Sequence, residues 1–270
     1  MKALDGISRN KAKAILAGGG VTVNGKNRSQ HDFPLNPGDR VEISKRKSGP
    51  TLQNKHVRLV YEDAYIIVIE KGVGILSMAS SHHAYSVKTV IDDYLRKSHQ
   101  GVTAHVVHRL DRDTSGLMML AKSVEAKDAL QHNWNNMVLS RKYVAVLEGE
   151  LESDEGVVKS YLAENSKFEV YSTNNPNEGQ LAITNYKVIR RGRGMTLVEV
   201  ELDTGRKNQI RVHMKDLGHP IVGDRKYGAK PSPIHRLALH AQTLRFVHPI
   251  TRKDMKFETP IPAKFRGLVM

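Results

Sequence analysis

The pattern of hydrophobic and polar positions along the chain is mostly that of β-strands, with helical spacing in a few segments. Alternating or short continuous apolar runs predict strands at residues 58–61, 66–70, 106–110, 117–121, 142–147, 182–189, 196–202 and 238–246. Helical spacing predicts helices at residues 86–97, 124–137 and 209–217. Because strands outnumber helices and do not alternate with them regularly, a doubly wound parallel sheet does not fit. We expect an α+β fold in which helices flank a mixed, mainly antiparallel sheet.

The start of the chain predicts a small separate unit. A short helix begins after Ser8, which is placed as an N-cap, and the glycines at residues 18–20 end it. Residues 21–23 then alternate as a strand, and the Asn-Gly pair that follows them is the strongest short hairpin signal in the chain. A second alternating strand is predicted at residues 41–43.

The chain is predicted to have two domains joined by a linker. Residues 48–56 are polar, contain Gly and Pro and lack periodicity, which is typical of a linker. We therefore expect a small domain at residues 1–47 and a large domain at residues 57–270. A chain of 270 residues is long enough to bury a core of its own.

The composition is strongly basic. The chain holds 42 Lys and Arg against 28 Asp and Glu, which gives a formal net charge of +14 and a pI near 9.8. This charge favours a polyanionic partner. Nucleic acid fits better than a membrane, because no stretch approaches the roughly 20 apolar residues that span a bilayer. A basic protein without such a partner is the alternative.

The sequence lacks the residues of several kinds of chemistry. Cysteine is absent, which removes disulfides, thiol nucleophiles and thiolate metal sites. No metal is expected, because no HExxH motif and no pair of histidines with a carboxylate at ligand spacing occurs. The glycine-rich runs lack the order of phosphate or dinucleotide loops, so no nucleotide cofactor is expected. The N-terminus has an early acid and no apolar signal region, so we expect a cytoplasmic protein.

A charged loop at residues 111–116 is the main candidate for chemistry. It lies between the strands predicted at residues 106–110 and 117–121, and loops held by rigid strands often carry catalytic side chains. Its acidic residues are Asp111 and Asp113, which the residues alone do not distinguish.

Two arginines flank the first of these carboxylates. Arg109 and Arg112 favour the ionised form of Asp111, which suits a nucleophile or a base better than a general acid. The alternative is structural: an Arg–Asp pair closes the turn, with Asp113 or Ser115 as a cap. Physical reasoning gives the two interpretations similar weight.

The N-terminal segment resembles a known RNA-binding module. The stretches ISRNKAKAILAGGGVTVNGK and LNPGDRVEI are similar to the S-four-type (alpha-L) RNA-binding domain, over about residues 4–46, with its first helix mostly missing. The resemblance implies that Arg9, Lys11 and Lys13 line one side of a short helix and contact phosphates, which positions an RNA without reading its sequence. A solvated basic helix without a partner is the alternative.

The charged loop lies in a second, more specific resemblance. The stretch HRLDRDTSGLMMLAKS at 108–123 resembles the signature of the pseudouridine synthases that isomerise uridine in ribosomal and transfer RNA. Further stretches agree in order and spacing: EKGVGILS at 70–77, SRKYVAVLEG at 140–149, LDTGRKNQIRVHMKDLGHPIVGDRKYG at 202–228 and RLALHAQTLRFVHP at 236–249. Together they span roughly residues 57–262.

This resemblance implies a role for each matching residue. Asp111 falls on the catalytic aspartate, which either attacks the anomeric carbon of the ribose or abstracts a ribose proton, so that the detached uracil rotates and rejoins through ring carbon 5. Tyr143 falls on a tyrosine that stacks near the target base and handles a proton. Arg211 falls on the basic residue that pairs with the aspartate. Arg109 falls on a position that enters the RNA stack where the base leaves.

The resemblance also implies how RNA is bound. The predicted RNA contacts of the large domain are Arg109, Arg112, His108 and Arg206. A base inside a helix must be flipped out before an enzyme reaches it, at a cost of a few kcal/mol, and a planar guanidinium that fills the gap lowers this cost. The isomerisation needs no cofactor, because it involves neither redox chemistry nor energy input. We expect a monomer that acts on large-subunit ribosomal RNA, with transfer RNA as an alternative.

Two other functions and one departure from the family pattern stay open. The chain could be a non-catalytic RNA-binding factor of ribosome assembly. A hydrolase-like site of Asp113, Ser115 and a histidine has no nucleophile-elbow context to support it. Asn208 stands where the nearest subfamily usually carries histidine, and we expect it to change the local loop geometry or substrate choice without loss of activity.

Overall fold

The structure is a computed structural model, and the chain divides into two compact units. One unit contains residues 1–53 and 93–101, and the other contains residues 54–92 and 102–270. The residues that the structure describes are 12, 15–16, 20–28, 30, 32–43, 52–79, 85–98 and 101–270. Most of the predicted linker lies within 1–53, and the identity of residues 1–47 as an S-four-like domain stays a prediction.

The first unit contains a small antiparallel sheet. Among the described residues its strands are ordered β2-β1-β3, with β1 at Val21–Val23, β2 at Lys26–Asn27 and β3 at Val41–Ile43. Asn24 and Gly25 turn the chain between β1 and β2 with φ of 52° and 75°. Positive φ at both positions is the geometry that Asn-Gly favours in a tight hairpin. The predicted hairpin and second strand are confirmed.

The predicted N-terminal helix lies mostly outside the described residues. Ala12, Ile15 and Leu16 are helical and half-buried, as the spacing predicts for its apolar face. Arg9, Lys11 and Lys13, the predicted phosphate contacts of this helix, are outside the described residues.

The remaining described chain forms eleven strands, five α-helices and a short 3₁₀ helix. The strands are β4 Val57–Glu62, β5 Ile66–Lys71, β6 His105–Val106, β7 Ser115–Ala121, β8 Val138–Glu148, β9 Glu155–Glu164, β10 Val170–Thr173, β11 Gln180–Gly192, β12 Met195–Leu202, β13 Leu239–Val247 and β14 Asp254–Glu258. The helices are α1 Val87–Lys97, α2 Val124–His132, α3 Trp134–Met137, α4 Gln209–Asp216 and α5 Ala263–Leu268, with the 3₁₀ helix at Arg225–Tyr227.

One large sheet organises the second unit. Its described strands are ordered β10-β9-β11-β12-β8-β13-β7-β5-β4, while β14 pairs with β13 and β6 pairs with β7. All neighbouring pairs are antiparallel except β13 and β7, which run parallel. The expected α+β fold with a mixed, mainly antiparallel sheet is confirmed.

The sheet is covered by helices, and two of its hydrophobic clusters lie around its central strands. Around β8 and β12, Val146 and Val198 pack with Ile210 of α4 and Phe265 of α5. Around β5 and β7, a second cluster includes Leu130 of α2. Burial of large apolar side chains contributes on the order of 2 kcal/mol each, so these clusters make the central strands a rigid support for the loops between them.

The structure corrects one predicted strand beside the charged loop. The strand predicted at residues 106–110 ends at Val106. The backbone N–H and carbonyl of Leu110 instead bond to the hydroxyl of Ser77, at 3.0 Å and 2.7 Å. Because Ser77 occupies the groups that would pair with a neighbouring strand, residues 107–114 form a longer loop than the apolar pattern predicts.

The helix predicted at residues 124–137 is broken. α2 ends at His132 and α3 begins at Trp134, since Asn133 has a non-helical backbone (φ −121°, ψ 27°). Its side-chain amide donates to the carbonyl of Ala129 at 3.3 Å. Asparagine competes in this way with the helical hydrogen-bond ladder.

The pattern does not predict β9, β10, β14 or α5. Exposed and partly buried positions alternate along much of β9 and along β14, and charged residues occupy many of them. The hydrophobic signal of such half-exposed strands is weak, so pairing with neighbouring strands decides their conformation.

A substitution at Gly116 tests how closely the backbones of β7 and β13 approach each other. It faces Ala241 across the parallel pair with φ of 119°, and a Cβ there would lie 2.2 Å from the carbonyl oxygen of Ala241. We expect Gly116→Ala to lower the free energy of unfolding, measured in urea, by about 3 kcal/mol or more. Gly218 also has positive φ but open space around it, so Gly218→Ala should cost only about 1 kcal/mol. Equal losses would contradict the close approach.

Candidate active site

A cavity of about 150 Å³ opens beside the loop that precedes β7. Asp111, Tyr143 and Arg211, which lie far apart in sequence, all line it, and so do Arg109 and Arg206. The loop before β7 supplies the aspartate, β8 the tyrosine and α4 the arginine. Because β13 pairs with both β7 and β8, the sheet brings the first two segments together.

The loop that carries Asp111 is held from below by a buried lysine. The Nζ atom of Lys71 donates to the carbonyls of Gly72 at 2.9 Å, Ile75 at 2.8 Å and Arg112 at 2.9 Å. Lys71 is fully buried. Burial lowers its pKa to about 8, although the charges of Asp113 and Asp111 oppose that shift. Sequence reasoning missed this role, although Lys71 lies in the family-like stretch at 70–77.

The main chain is therefore fixed on both sides of Asp111. Ser77 binds the backbone of Leu110, and Lys71 binds the carbonyl of Arg112. The amide of Gly74 also donates to the Arg112 carbonyl, at 2.9 Å. A side chain whose two neighbours are held by hydrogen bonds keeps its direction without a bond of its own.

The carboxylate of Asp111 is close to a cation but remains open. Its Oδ2 atom lies 3.7 Å from Nη1 of Arg211, which is an ion-pair distance and too long for a hydrogen bond. The side chain is 27% exposed. Among the described residues no donor satisfies its oxygens, so they are available to a ligand in the cavity.

Arg211 is held mainly by a different carboxylate, Asp224. Its Nε atom donates to Oδ2 of Asp224 at 2.6 Å, and its Nη2 atom to Oδ1 at 2.7 Å. Burial alone would lower the pKa of Arg211, but the hydrogen bonds and charge of Asp224 outweigh it and raise the pKa. The Asp224 side chain is 1% exposed. This bidentate pair fixes the plane of the guanidinium, so that its Nη1 atom is directed toward Asp111.

Asn208 completes the support of Arg211. Its Oδ1 atom accepts from Nη1 of Arg211 at 3.1 Å, and its Nδ2 atom donates to the hydroxyl of Tyr227 at 3.0 Å. The ring of Tyr227 lies 4.9 Å from the Arg211 guanidinium. Asn208 has φ of 54°, a left-handed conformation that asparagine tolerates better than most residues. Asparagine therefore suits this position through both its backbone and its amide.

Tyr143 faces the same cavity from β8. Burial raises the pKa of its hydroxyl, Arg141 opposes the shift, and the carboxylate of Asp111 adds to it. The hydroxyl is therefore protonated near neutral pH and can donate a hydrogen bond.

The structure distinguishes the two aspartates of the loop. Arg112 pairs with Asp113 at 3.2 Å, and both side chains are exposed, at 65% and 49%. The structural interpretation of an Arg–Asp pair thus applies to Asp113, whereas Asp111 lines the cavity. Arg112 is directed to Asp113 and does not flank the Asp111 carboxylate as the sequence suggests.

The other predicted RNA contacts lie in different surroundings. Arg109 is exposed, and the Nε atom of Arg206 donates to the carbonyl of Leu181 at 3.0 Å. The ring of His108 accepts from the backbone N–H of Met119 at 2.9 Å. Burial, with a contribution from Arg141, lowers the pKa of His108 to about 3, so it adds no positive charge near neutral pH. Their contact with RNA stays a prediction.

A buried hydrogen-bonded chain ties β7 to β13. Arg236 donates to the hydroxyl of Ser115 at 2.6 Å, and Ser115 lies 2.7 Å from Nδ1 of His240. Nε2 of His240 lies 2.8 Å from the hydroxyl of Thr259. The histidine contacts no carboxylate here, so among the described residues the hydrolase-like set of Asp113, Ser115 and a histidine is not formed.

The structure also bears on metals and membranes. Among the described residues no three His, Asp or Glu side chains are grouped so that they could hold a metal ion. No helix in the described part of the chain is long and apolar enough to cross a bilayer.

Comparisons with known proteins agree with this geometry. The sequence profile of the RNA pseudouridylate synthase family matches residues 65–216. The chain is 36% identical to an uncharacterised RNA pseudouridine synthase, YjbO, of Bacillus subtilis, over 98% of this chain and 95% of that protein. It is 32% identical to ribosomal large subunit pseudouridine synthase D of Pseudomonas aeruginosa, over 97% of this chain and 87% of that protein.

A solved structure shares the fold. Human RNA pseudouridylate synthase domain containing 4 superposes with a TM-score of 0.64 at 24% identity, covering 77% of this chain and 90% of that one. The chain belongs to the RNA pseudouridylate synthase family and is an isomerase that converts uridine in RNA to pseudouridine.

The stability of the fold should depend on pH through His240. Burial lowers its pKa from 6.5 to about 4, so between these values the unfolded chain binds a proton that the folded chain does not. The contribution of His240 is therefore complete above pH 6.5 and is lost as the pH falls toward 4. We expect His240→Gln to remove about 3 kcal/mol of this pH-dependent loss, measured by urea unfolding across the interval. An equal loss in wild type and His240→Gln across this interval would contradict the assignment to His240.

Two substitutions separate the backbone and side-chain roles of Asn208. Asn208→Gly keeps the left-handed backbone but removes both amide hydrogen bonds, so we expect a loss of about 2 kcal/mol in unfolding free energy. Asn208→Ala should cost about 1 kcal/mol more, because alanine disfavours positive φ. If the glycine variant were as stable as the parent, the amide would not support Arg211.

Proposed function

We propose that this RNA pseudouridine synthase modifies specific uridines of large-subunit ribosomal RNA, with Asp111 as its catalytic residue. The observation that carries the assignment of Asp111 is its open carboxylate in a cavity shared with Tyr143 and Arg211. The name of the Pseudomonas aeruginosa relative, ribosomal large subunit pseudouridine synthase D, supports the choice of RNA. A net charge of +14 also suits a polyanionic substrate.

The chemistry follows from the environment of the three side chains. The carboxylate of Asp111 either attacks the anomeric carbon, releasing uracil from nitrogen 1, or takes a ribose proton as that bond breaks. Arg211 stabilises the carboxylate charge from 3.7 Å. The protonated Tyr143 hydroxyl handles a proton at the ribose. The detached uracil rotates and carbon 5 bonds to the anomeric carbon. In the first route this breaks the bond from that carbon to the Asp111 oxygen, and in the second the proton taken from the ribose returns to it. The proton on carbon 5 is then lost, and nitrogen 1 ends protonated.

The substrate uridine reaches this cavity by base flipping. Arg109, exposed beside Asp111, fills the gap that the base leaves, which reduces an unstacking cost of a few kcal/mol. Arg112, Arg206 and His108 contact the RNA around the site, while Arg9, Lys11 and Lys13 hold it from an S-four-like domain at residues 1–47. Residues 57–270 form the catalytic domain. The enzyme acts as a cytoplasmic monomer without a cofactor.

Transfer RNA is the competing substrate. It differs only in which RNA loses pseudouridine when the gene is deleted.

Replacement of each aspartate of the loop tests the assignment. We expect Asp111→Asn to lower turnover on the target RNA by on the order of 10³-fold or more while RNA binding is retained. Asp113→Asn is the matched control, and since that carboxylate pairs with Arg112 at the surface, it should keep most activity. Chemical-adduct mapping of pseudouridine in total RNA from deletion cells carrying each variant gives the readout. An Asp111→Asn map identical to wild type would refute the catalytic assignment, and the RNA whose sites disappear identifies the substrate.

A further inference from the structure

An exposed phenylalanine lies at the tip of the hairpin between β9 and β10. Phe168 is 73% exposed and has φ of 60°. In short hairpin loops this left-handed position is usually glycine. A bulky aromatic residue there is both conformationally strained and deprived of burial, so stability of the hairpin does not explain its presence.

The loop is built to hold this conformation. The side-chain oxygen of Asn165 accepts from the backbone N–H groups of Lys167 at 2.9 Å and Glu169 at 3.0 Å. The Nζ atom of Lys226 donates to the carbonyl of Phe168 at 3.0 Å. The backbone that carries the ring is therefore held in place, so little backbone entropy is left to lose on binding.

The surroundings of the ring are cationic and continuous with the active site. The Nζ atom of Lys207 lies 5.9 Å from the centre of the Phe168 ring. A second cavity, of about 530 Å³, lies between the hairpin and residues 205–207, and these residues also line the active-site cavity. Arg206 and Lys207 thus line both cavities, and Lys207 also lies beside the Phe168 ring.

Two carboxylates of the second cavity are bonded within the protein. Glu164 forms an ion pair with Lys207. Glu178 accepts from Thr173 at 3.0 Å and from Asn175 at 2.9 Å. Their acceptor groups are engaged within the protein, whereas Arg206 keeps its charge without a carboxylate partner among the described residues.

We propose that Phe168 stacks on an unpaired base of the RNA strand that leaves the active site, with the intervening nucleotide in the second cavity and its phosphate on Arg206. An exposed aromatic ring next to cations is the arrangement by which proteins bind single-stranded RNA. The proposal rests on the proposed function, since it assigns a second subsite to the same substrate.

Substitution by glycine separates RNA binding from folding. Phe168→Gly relieves the backbone strain, so its thermal unfolding midpoint should equal or exceed that of wild type. We expect it to weaken binding of a short fluorescein-labelled single-stranded RNA, measured by anisotropy, by about tenfold. Phe168→Trp keeps an aromatic ring at this position and should bind the same RNA as tightly as wild type does. Val157→Ala is the control, because Val157 is 64% exposed on the same hairpin but at the far end of β9.

Two outcomes would overturn the subsite: wild-type RNA affinity in Phe168→Gly, or a loss of affinity accompanied by a lower unfolding midpoint. With the mapped target RNA, the variant should raise KM and leave kcat unchanged. Formation of pseudouridine together with unchanged affinity and KM would reject the subsite and keep the proposed function. Weaker RNA binding by the glycine variant of a chain that forms no pseudouridine would reject the function and keep the surface.

Discussion

The geometry of the active site depends on one buried ammonium group. Among the described residues no carboxylate is bonded to Lys71, which instead donates to three backbone carbonyls, one of which belongs to the residue after Asp111. The burial of a cation is unfavourable, and its lowered pKa of about 8 reflects that cost. The cost is offset because carbonyl dipoles and the charges of two aspartates surround the group. The three hydrogen bonds of Lys71 hold the backbone of the loop that carries Asp111, although this loop has no regular secondary structure.

The opposite wall of the cavity is organised by a second buried ion pair. Asp224 orients Arg211, and Asn208 and Tyr227 hold the same guanidinium from other sides. Because Arg211 is neutralised by Asp224, it can stand 3.7 Å from Asp111 without closing on it. A direct bidentate pair between Arg211 and Asp111 would occupy the oxygens that a substrate needs. The pairing of Arg211 with Asp224 therefore keeps the Asp111 carboxylate accessible from the cavity.

The sequence predicts the strands of this fold well where a strand is buried on one face or on both faces. The strands of β5, β7 and β8 follow from apolar runs, and the Asn24-Gly25 hairpin follows from turn chemistry alone. The prediction fails for segments whose local conformational preference is weak, or is overruled by a contact with a distant residue. The half-exposed β9 carries too little hydrophobic signal, and the predicted strand at residues 106–110 stops at Val106, with a distant serine bonded to both backbone groups of Leu110.

The sequence by itself predicted which segments carry the chemistry, since the ordered motifs match Asp111, Tyr143 and Arg211 to the family pattern without any coordinates. Only the tertiary structure showed that Asp113 pairs with Arg112 at the surface while Asp111 lines the cavity, and revealed Asp224 as the main partner of Arg211. The physical reason is that neighbouring residues of a loop have similar local preferences. Their directions are decided by groups that are distant in sequence, here Lys71, Ser77 and the parallel contact of β7 with β13.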